Sequence, residues 1–472
     1  VGDFATLSTA LSGLYAHRRT IEAIGHNVAN VNTDGFTRRR VELSPAGGAQ
    51  VGGVFARDHR VGAGVDVAGV IRLRDELLDL RARREMAGEA SISTAARIMS
   101  QIERTMPEPS ELGMAAQLSA FWGAWDDAAA RPGDLPIRAA LLSRAEVLIG
   151  GFHTLAASLT DLRDGLLRDL QISVAQVNAD AARVAELNDA IAAAVASNAD
   201  ANDLADQRDL IVDRLVRSLG ATTRNGDAGA VDVYLGGAAL VRANRADALK
   251  LEVGGPLTPP LDGNGFLRVE LQWVSDGYAV TGLGGSVAAT RDGLNVVVPR
   301  ALHQVDGVVA ALVTGVNSLH QSGQGLDPLV DVNLSFFDPA ATTARTVRLS
   351  ADVAGQPSRI ALAPAGAGVL DGSLGHQIAD LATSAGAPDA IYRDLIGRLA
   401  VEVQSLTTRA DVQRRISQQA VEERASMTGV SLDEEMAALV AAQRAYEASS
   451  RVLTTVDEML EVLINRTGVV GR

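Results

Sequence analysis

The chain is 472 residues long and carries 43 basic against 57 acidic residues, a formal charge of −14, so about two to four domains with buried cores are expected. Lysine occurs once, at Lys250, and no basic surface able to follow a phosphate backbone is evident, which argues against nucleic acid as a partner. Cysteine is absent, which removes disulfides, thiolate metal sites and a cysteine nucleophile while fitting either side of a membrane.

Aromatic residues make up only 3% while Ala, Leu and Val dominate, the composition of long helices packed by aliphatic side chains. No run of about 18 apolar residues is present, so no membrane partner is expected. The first residues lack a basic segment leading into an apolar one, so secretion would use a route without a cleaved signal. In the first predicted helix Leu7, Leu11, Leu14, Ile21 and Val28 recur in alternating steps of four and three, with Arg18 and Gly25 at the intervening places and Ile24 beside them.

That helix runs into "NVANVNTDGF", Asn27 to Phe36. Asn30 or Asn32 can cap the last carbonyls, and Gly35 supplies the positive φ of a tight turn, with Thr33 and Phe36 completing the motif. Asn27 lies one turn earlier, inside the helix where asparagine is disfavoured, and a helix-to-helix amide hydrogen bond in an assembled wall would explain it. Asp58 and His59, adjacent in "FARDHR", read as a loop ion pair, since neighbouring residues seldom face each other.

Helices are expected over residues 76–220. Leu155, Leu159, Leu162, Leu166, Leu170, Val174, Val177, Ala181, Val184, Leu187, Ile191 and Val195 mark one far longer than a globular average. "SNADAND" from Ser197 breaks it, and Leu204 to Leu219 forms another. The stretch from Asp200 begins like a calcium loop, but Ala205 stands where the turn glycine belongs and Ile211 where the bidentate glutamate belongs. The period then becomes two, at Val231, Val233 and Leu235 and again at Leu267, Val269, Leu271 and Trp273, which places a β module between Ala221 and about Arg300. Val305 to Leu319 reads as helix, 323–375 as loop with short strands, and Asp389 to Met427 as helix again.

The last helix is expected to begin near Leu432, because Ser431 and Glu434 stand in the reciprocal capping relation. Leu432, Met436, Leu439, Gln443, Tyr446, Ser450, Leu453, Asp457, Leu460 and Ile464 repeat the four-three alternation. The helices at the two chain ends should be neighbours, since helix leads out, strands occupy the middle and helix leads back. Residues 1–40 hold five arginines against three acids, a net of +2, and residues 431–472 four against seven, a net of −3, which weakly favours their association.

Such a pair is thin. A helix of about 26 residues is roughly 39 Å long, and its apolar line needs a partner; in a two-helix pair Ala10, Leu14, Ile24, Ala437, Val440 and Leu463 would lie on the flanks. Spacing alone admits both an ordinary intramolecular pair and a core shared between chains.

No catalytic or cofactor constellation emerges. The seven histidines, His17, His26, His59, His153, His303, His320 and His376, are scattered rather than spaced for a metal. "GLGGSV" from Gly282 has Val287 in place of the third glycine of a dinucleotide fingerprint, and neither a phosphate-loop G-K-S/T nor a G-x-S-x-G elbow occurs.

Ala29, Asn30, Asn32, Thr33, Gly35 and Phe36 match the A-N-x-N-T-x-G-aromatic motif closing the first helix of the axial proteins of the bacterial flagellum, and the chain resembles that family of rod, hook and hook-associated proteins. The carboxyl end, "GVSLDEEMAALVAAQRAYEASSRVLTTVDEMLEVLINRTG", the stretch "ANDLADQRDLIVDRL" (201–215) and "VNSLHQSGQGLD" (316–327) are similar to its hook-associated members at the hook–filament junction. A hook or distal rod protein, which would show mainly strands over 76–219, is the alternative; a ligand-binding or enzymatic protein using the β module is the alternative of a different class.

The resemblance covers residues 1–220 and 300–472, and leaves 221–300 and 323–375 as a variable, surface-facing module. With the reading above it implies an elongated α+β multidomain chain, mainly α with a β-rich insertion. A coiled-coil-like inner domain of 1–40 with 431–472 would be followed by a helix-rich middle of 41–220 and 301–322 with 376–430. The β module at 221–300 would project outward, and 323–375 would be a loop-rich β segment. It also implies a non-enzymatic, cofactor-free subunit located outside the cell, transiently cytoplasmic before unfolded export. Its partners would be copies of itself, the hook protein, the next hook-associated junction protein toward the filament, the type III export apparatus and an export chaperone covering the C-terminal line.

Overall fold

Residues 2–46 and 64–466 are described by the computed structural model; Asp58 and His59 lie outside the described residues, as do the side chains of Leu463 and Ile464. In chain order the elements are α1 (Gly2–Ala29), β1 (Arg39–Pro45), β2 (Val65–Arg72), α2 (Glu76–Thr105), α3 (Met114–Ala130), α4 (Leu135–Ala196) and α5 (Asn202–Leu219). There follow β3 (Thr222–Asn225), β4 (Val231–Leu235), β5 (Ala238–Arg242), β6 (Arg245–Ala246), β7 (Leu249–Pro256) and β8 (Leu267–Trp273). The chain then returns through α6 (Gly285–Asp292), α7 (Val298–His320), β9 (Gly323–Gln324), β10 (Ala363–Pro364), α8 (Ser373–Ala379), α9 (Pro388–Thr428) and α10 (Leu432–Arg466). The protein is mainly helical with several small antiparallel sheets, a multidomain α+β arrangement.

The rod is built on α4, whose 62 residues span about 93 Å at 1.5 Å per residue. Asp134 caps its start by accepting from the Ile137 N–H, and Asp75 does the same for α2 through the Leu77 and Leu78 N–H groups. The predicted apolar line is buried from Leu155 to Ile191, save for the half-buried Leu162, and ends at the exposed Val195. α9 runs antiparallel to α2, with Glu423 accepting from Arg81 at 2.6 Å and Gln413 donating to Glu85 at 2.6 Å. Buried Val403, Ala410 and Ser417, seven residues apart, form part of its seam.

The strand region packs against α4 rather than around a core of its own. Its inward face needs a cover, and Val233, Leu240, Val241 and Val269 join the same core as α4. Polar groups of α4 fix the register: Asn178 exchanges two 2.8 Å bonds with Leu249, and Asn188 pairs with both backbone groups of Val231. Arg163 donates to the Leu267 carbonyl at 2.5 Å with its guanidinium 4.4 Å from the Phe266 ring centroid.

The strands also end earlier than residue 300. A continuous helical stretch covers 285–320, interrupted by a π-helical turn at Gly293–Val297. Valines 296–298 followed by Pro299 resemble a strand and its terminator, yet Pro299 lies inside this stretch just after the π-helical turn, whose altered hydrogen-bond spacing accommodates a residue without an N–H. This stretch is, among the described residues, long and apolar enough to cross a membrane, and its Val298, Leu302, Val305, Val309, Leu312 and Val316 are buried in the core.

Two further expectations are revised. Residues after 40 were expected in the helical middle, but β1 and β2 pair antiparallel, Val41 opposite Val70, and return to α1, where Ser12 Oγ accepts from the Val65 N–H at 3.1 Å. Residues 323–375, expected to face the surface, do so in part, with Leu329, Val330 and Leu370 exposed, but are also pinned to the core: Phe336, Phe337, Ile360 and Leu362 have no exposed surface. "VNSLHQ" supplies the pins. Asn317 accepts from the N–H groups of Phe336 and Phe337, both at 2.9 Å, and donates to the Phe337 carbonyl at 2.8 Å. Phe121, Trp125 and His320 close around Phe336, concentrating the few aromatics of the chain at one point.

His320 is fully buried and held as the neutral ring: Nε2 accepts from the Ala361 N–H at 2.9 Å and Nδ1 donates to the Leu334 carbonyl at 2.6 Å. Burial lowers its pKa from 6.5 to about 4. The unfolded chain therefore binds the extra proton first as pH falls, and stability should drop between about pH 6.5 and pH 4 by about 1.4 kcal/mol per pH unit. Urea unfolding at a series of pH values should show this slope in the native chain and a shallower one in His320→Gln.

Candidate functional site

α1 and α10 lie antiparallel, and their contact line is offset from the expected one. Ala10, Ala16, Ile24 and Asn27 of α1 are buried, as are Glu435, Ala442 and Val456 of α10. Gly13 approaches so closely that an added Cβ would lie 3.3 Å from Ser449 Oγ. Small residues let the axes come together, so Ala10 and Ile24, expected on the flanks, are inside. The larger side chains straddle the seam: Leu7, Leu14, Ile21, Val28, Leu439, Tyr446, Leu453 and Leu460 are half-buried. Leu11, Tyr15, Leu432, Met436, Val440, Val452, Met459 and Val462 remain exposed, Met436 by 50% and Met459 by 55%. Ala437 is exposed with them.

Asn27 anchors this pair within one chain, where the sequence suggested a bond between chains. Its Nδ2 donates to the Arg39 carbonyl at 2.9 Å and to Glu435 Oε2 at 3.0 Å, while its Oδ1 accepts from the Arg39 N–H at 2.9 Å. The buried Glu435 carboxylate also accepts from Arg38 Nε at 2.6 Å. Glu434, expected to reach back toward Ser431, instead accepts from Arg38 Nη1 at 2.7 Å. One buried amide and one buried carboxylate thus join the end of α1, the start of β1 and the first turn of α10, and the negative charge suits a helix N-terminus.

The intervening turn is organised by Asn30, whose side chain donates to the His26 carbonyl at 3.0 Å and accepts from Thr33 Oγ1 at 3.1 Å. Asn32 is exposed. Gly35 has φ +76°, and a Cβ there would lie 2.4 Å from the Leu210 side chain, so both conformation and space exclude other residues. Phe36 stacks near His26, ring centroids 5.5 Å apart, with the Arg39 guanidinium 5.1 Å from its centroid.

A second anchor, not recognised in the sequence reading, is the aspartate face of α5. Asp203, Asp206, Asp209 and Asp213 follow helical spacing and meet arginines from four other elements or their connections. Arg39 pairs with Asp203 and with Asp206 at 3.5 Å, and Arg72 with Asp206 at 2.9 Å and Asp209 at 2.7 Å. Arg74 pairs with Asp209 and, at 2.8 Å, with Asp79. Arg83 and Arg424 share Asp213 at 2.9 and 2.8 Å. Burial works to raise the Asp213 pKa, but those two guanidiniums outweigh it and hold the carboxyl below its ordinary value. The spacing in "ANDLADQRDLIVDRL" was the available signal, read only for its resemblance and as a failed calcium loop. Among the described residues no group of three or more His, Asp or Glu side chains is arranged to hold a metal.

Residues 99–337, just over half of the chain, match the model of the flagellar hook-associated protein FlgK helical domain. The chain belongs to that family. At its ends, residues 7–37 match the flagella basal body rod protein model and residues 421–466 the flagellar basal body rod FlgEFG protein C-terminal model. Flagellar hook-associated protein 1 of Bacillus subtilis (strain 168) is 27% identical over 519 aligned positions, covering 99% of each chain. The protein of the same name from Salmonella typhimurium is 29% identical over 246 positions, 52% of this chain and 43% of that one. The flagellar hook junction protein FlgK from Burkholderia pseudomallei has the same fold, with a TM-score of 0.62 at 12% identity over 75% of this chain and 100% of that one. Membership of the FlgK family makes the chain a structural protein of the flagellum, an extracellular appendage, assembling with other axial proteins.

The two anchors make separable predictions. Asn27→Ala removes a partner from both Arg39 backbone groups and from one oxygen of the Glu435 carboxylate, which keeps Arg38, and should cost roughly 2–4 kcal/mol locally; hydrogen exchange should speed up around residues 27–40 and 430–437 while α4 is unchanged. Asp209→Asn leaves arginines crowded without their shared carboxylate and should lower whole-chain stability by about 3–5 kcal/mol, measurable by chemical denaturation.

Proposed function

We propose that this chain is a subunit of the flagellar hook–filament junction in which copies stand side by side, α1 and α10 forming the inner wall. The observation that carries this reading is the set of exposed apolar side chains, Leu11, Tyr15, Leu432, Met436, Val440, Val452, Met459 and Val462, on a pair of helices whose main further neighbour among the described residues is the β1–β2 hairpin beside α1. Drying each half-exposed side chain is worth on the order of 1 kcal/mol; one copy gains little, whereas a closed ring or helical array gains it at every contact.

In this reading the rod and its strands stand outside the wall and buffer the mismatch between a bending hook and a stiffer filament, touching the hook protein on one side and the next junction protein on the other. The chain travels unfolded through the type III export apparatus, and an export chaperone covers the C-terminal line, Leu432, Met436, Leu439, Tyr446, Leu453, Leu460 and Ile464, before assembly. A hook or rod subunit is the less favoured reading, because residues 76–219 hold four helices and no strand. No catalytic step is assigned to the chain.

Val440→Glu places a charge on the exposed line without touching the seam. Circular dichroism and the melting temperature should stay within experimental error of the native chain, while cells carrying the variant should keep hooks, lose filaments and release flagellin. Normal filaments would contradict the proposed wall.

A further inference from the structure

Within the rod, α9 packs on α2, α2 on α5 and α5 on α4, so α9 and α4 form opposite edges of the helical layer. The seam of α9 through Val403, Ala410 and Ser417 leaves a face turned away from α2 on which Gly397, Val401, Ser405, Thr408 and Val412 are exposed among the described residues, Val401 by 71%. A groove of about 510 Å³ follows the first part of this face, lined by Gly397, Val401, Ser405 and Leu406. On α4 the buried positions leave an outer stripe of the same kind, through Val147, Thr154, Asp161, Ile172, Ala179 and Ala190, with Ile172 exposed by 69%.

The two edges match in height. An added Cβ at Gly293 would lie 2.8 Å from Ile98 and 3.4 Å from Leu166, which sets α2 and α4 level there, and Gln413 of α9 reaches Glu85 of α2. With α9 and α4 both antiparallel to α2, the stretch from Val401 to Val412 spans the height of Ile172. They also match in charge. Between Arg393 and Arg415 the exposed charges of α9 are five arginines against three acids, a net of +2. Along α4 from Arg144 to Asp189 the exposed charges are three arginines against six acids, a net of −3. Arg398 and Arg414 pair with acids of their own helix, whereas Arg409, Arg415, Asp161 and Asp169 have no ion-pair partner among the described residues. A basic and an acidic edge separated by α2 and α5 cannot meet within one chain. They can meet between copies, one edge against the opposite edge of the next, the contact that repeats around a ring or helix.

We propose that the exposed α9 face is covered by the exposed α4 face of a second copy, so that the rods touch side by side as well as the inner helices. The contact presupposes the side-by-side arrangement proposed above and adds to it. A thin pair of inner helices leaves the direction of the rod to the joint alone, and a second contact at rod height fixes it.

Because the chain has no cysteine, introduced thiols report this contact directly. Full-length protein carrying Val412→Cys with Ile172→Cys, assembled into junctions in cells and treated with a short bis-maleimide, should give a ladder of covalent oligomers, and neither single substitution should. Reversing one edge, by Arg409→Glu with Arg415→Glu or by Asp161→Arg with Asp169→Arg, should leave circular dichroism unchanged and reduce filaments several-fold. Combining the two reversals should restore filaments, which a folding or export defect would not allow. No ladder from the double-cysteine chain, full filament numbers with either edge reversed, or no rescue by the combination would overturn the rod contact. A Val412→Cys thiol shielded in junctions that give no ladder would assign the face to a different axial protein and overturn it equally. All these positions lie off α1 and α10, so such a result leaves the inner wall to be judged by Val440→Glu.

Discussion

Two helices laid side by side can bury only the strip between them, and much of this molecule is arranged around holding such a pair out into solvent without letting it splay. The seam of α1 and α10 uses Ala10, Gly13, Ile24 and Ala442, residues too small or too few to stabilise the pair alone. Polar anchoring makes up the difference at the end nearest the rod, where Asn27 and Glu435 are buried with their hydrogen bonds made. The aspartate face of α5 then ties β1 and the segment after β2 to the rod through Arg39, Arg72 and Arg74. Buried ion pairs of this kind contribute little net stability compared with apolar packing, but removing one partner is costly. They fix geometry more than they add strength, which suits a joint that holds one angle.

Since the folded Asp213 pKa is depressed by Arg83 and Arg424 against the opposing effect of burial, its contribution is complete above the ordinary carboxylate value and lost only as pH falls through the lower folded one. The burial of these pairs also shields them from salt more than surface pairs would be.

Much of the architecture was legible because it follows from periodicity. The four-three alternation placed the helices at both ends, the part of α4 from Leu155 to Val195 followed from its leucines and valines, and Gly35 announced its own positive φ. What the pattern could not give was which side of a stripe faces the partner: Leu11 and Met436 look like core residues by spacing, yet Ala10 and Gly13 set the approach because closeness depends on size. Asn27 illustrates the same limit, since its helical position signalled a buried amide but not that Arg39 and Glu435, 12 and 408 residues away, would receive it. The β1–β2 pair and the buried Phe336 and Phe337 depended on contacts distant in sequence, which local propensity does not encode.

The outer line of α1 and α10 is the part of the molecule whose surroundings must change if copies form a wall. Met436 and Met459 lie on it and report their own exposure through oxidation. Oxidative footprinting of the free full-length chain and of junctions isolated with hooks and filaments attached should show both methionines modified in the first and shielded in the second. Equal modification in the two states would mean that the line stays wet in the flagellum, and that α1 and α10 do not make the contacts assigned to them.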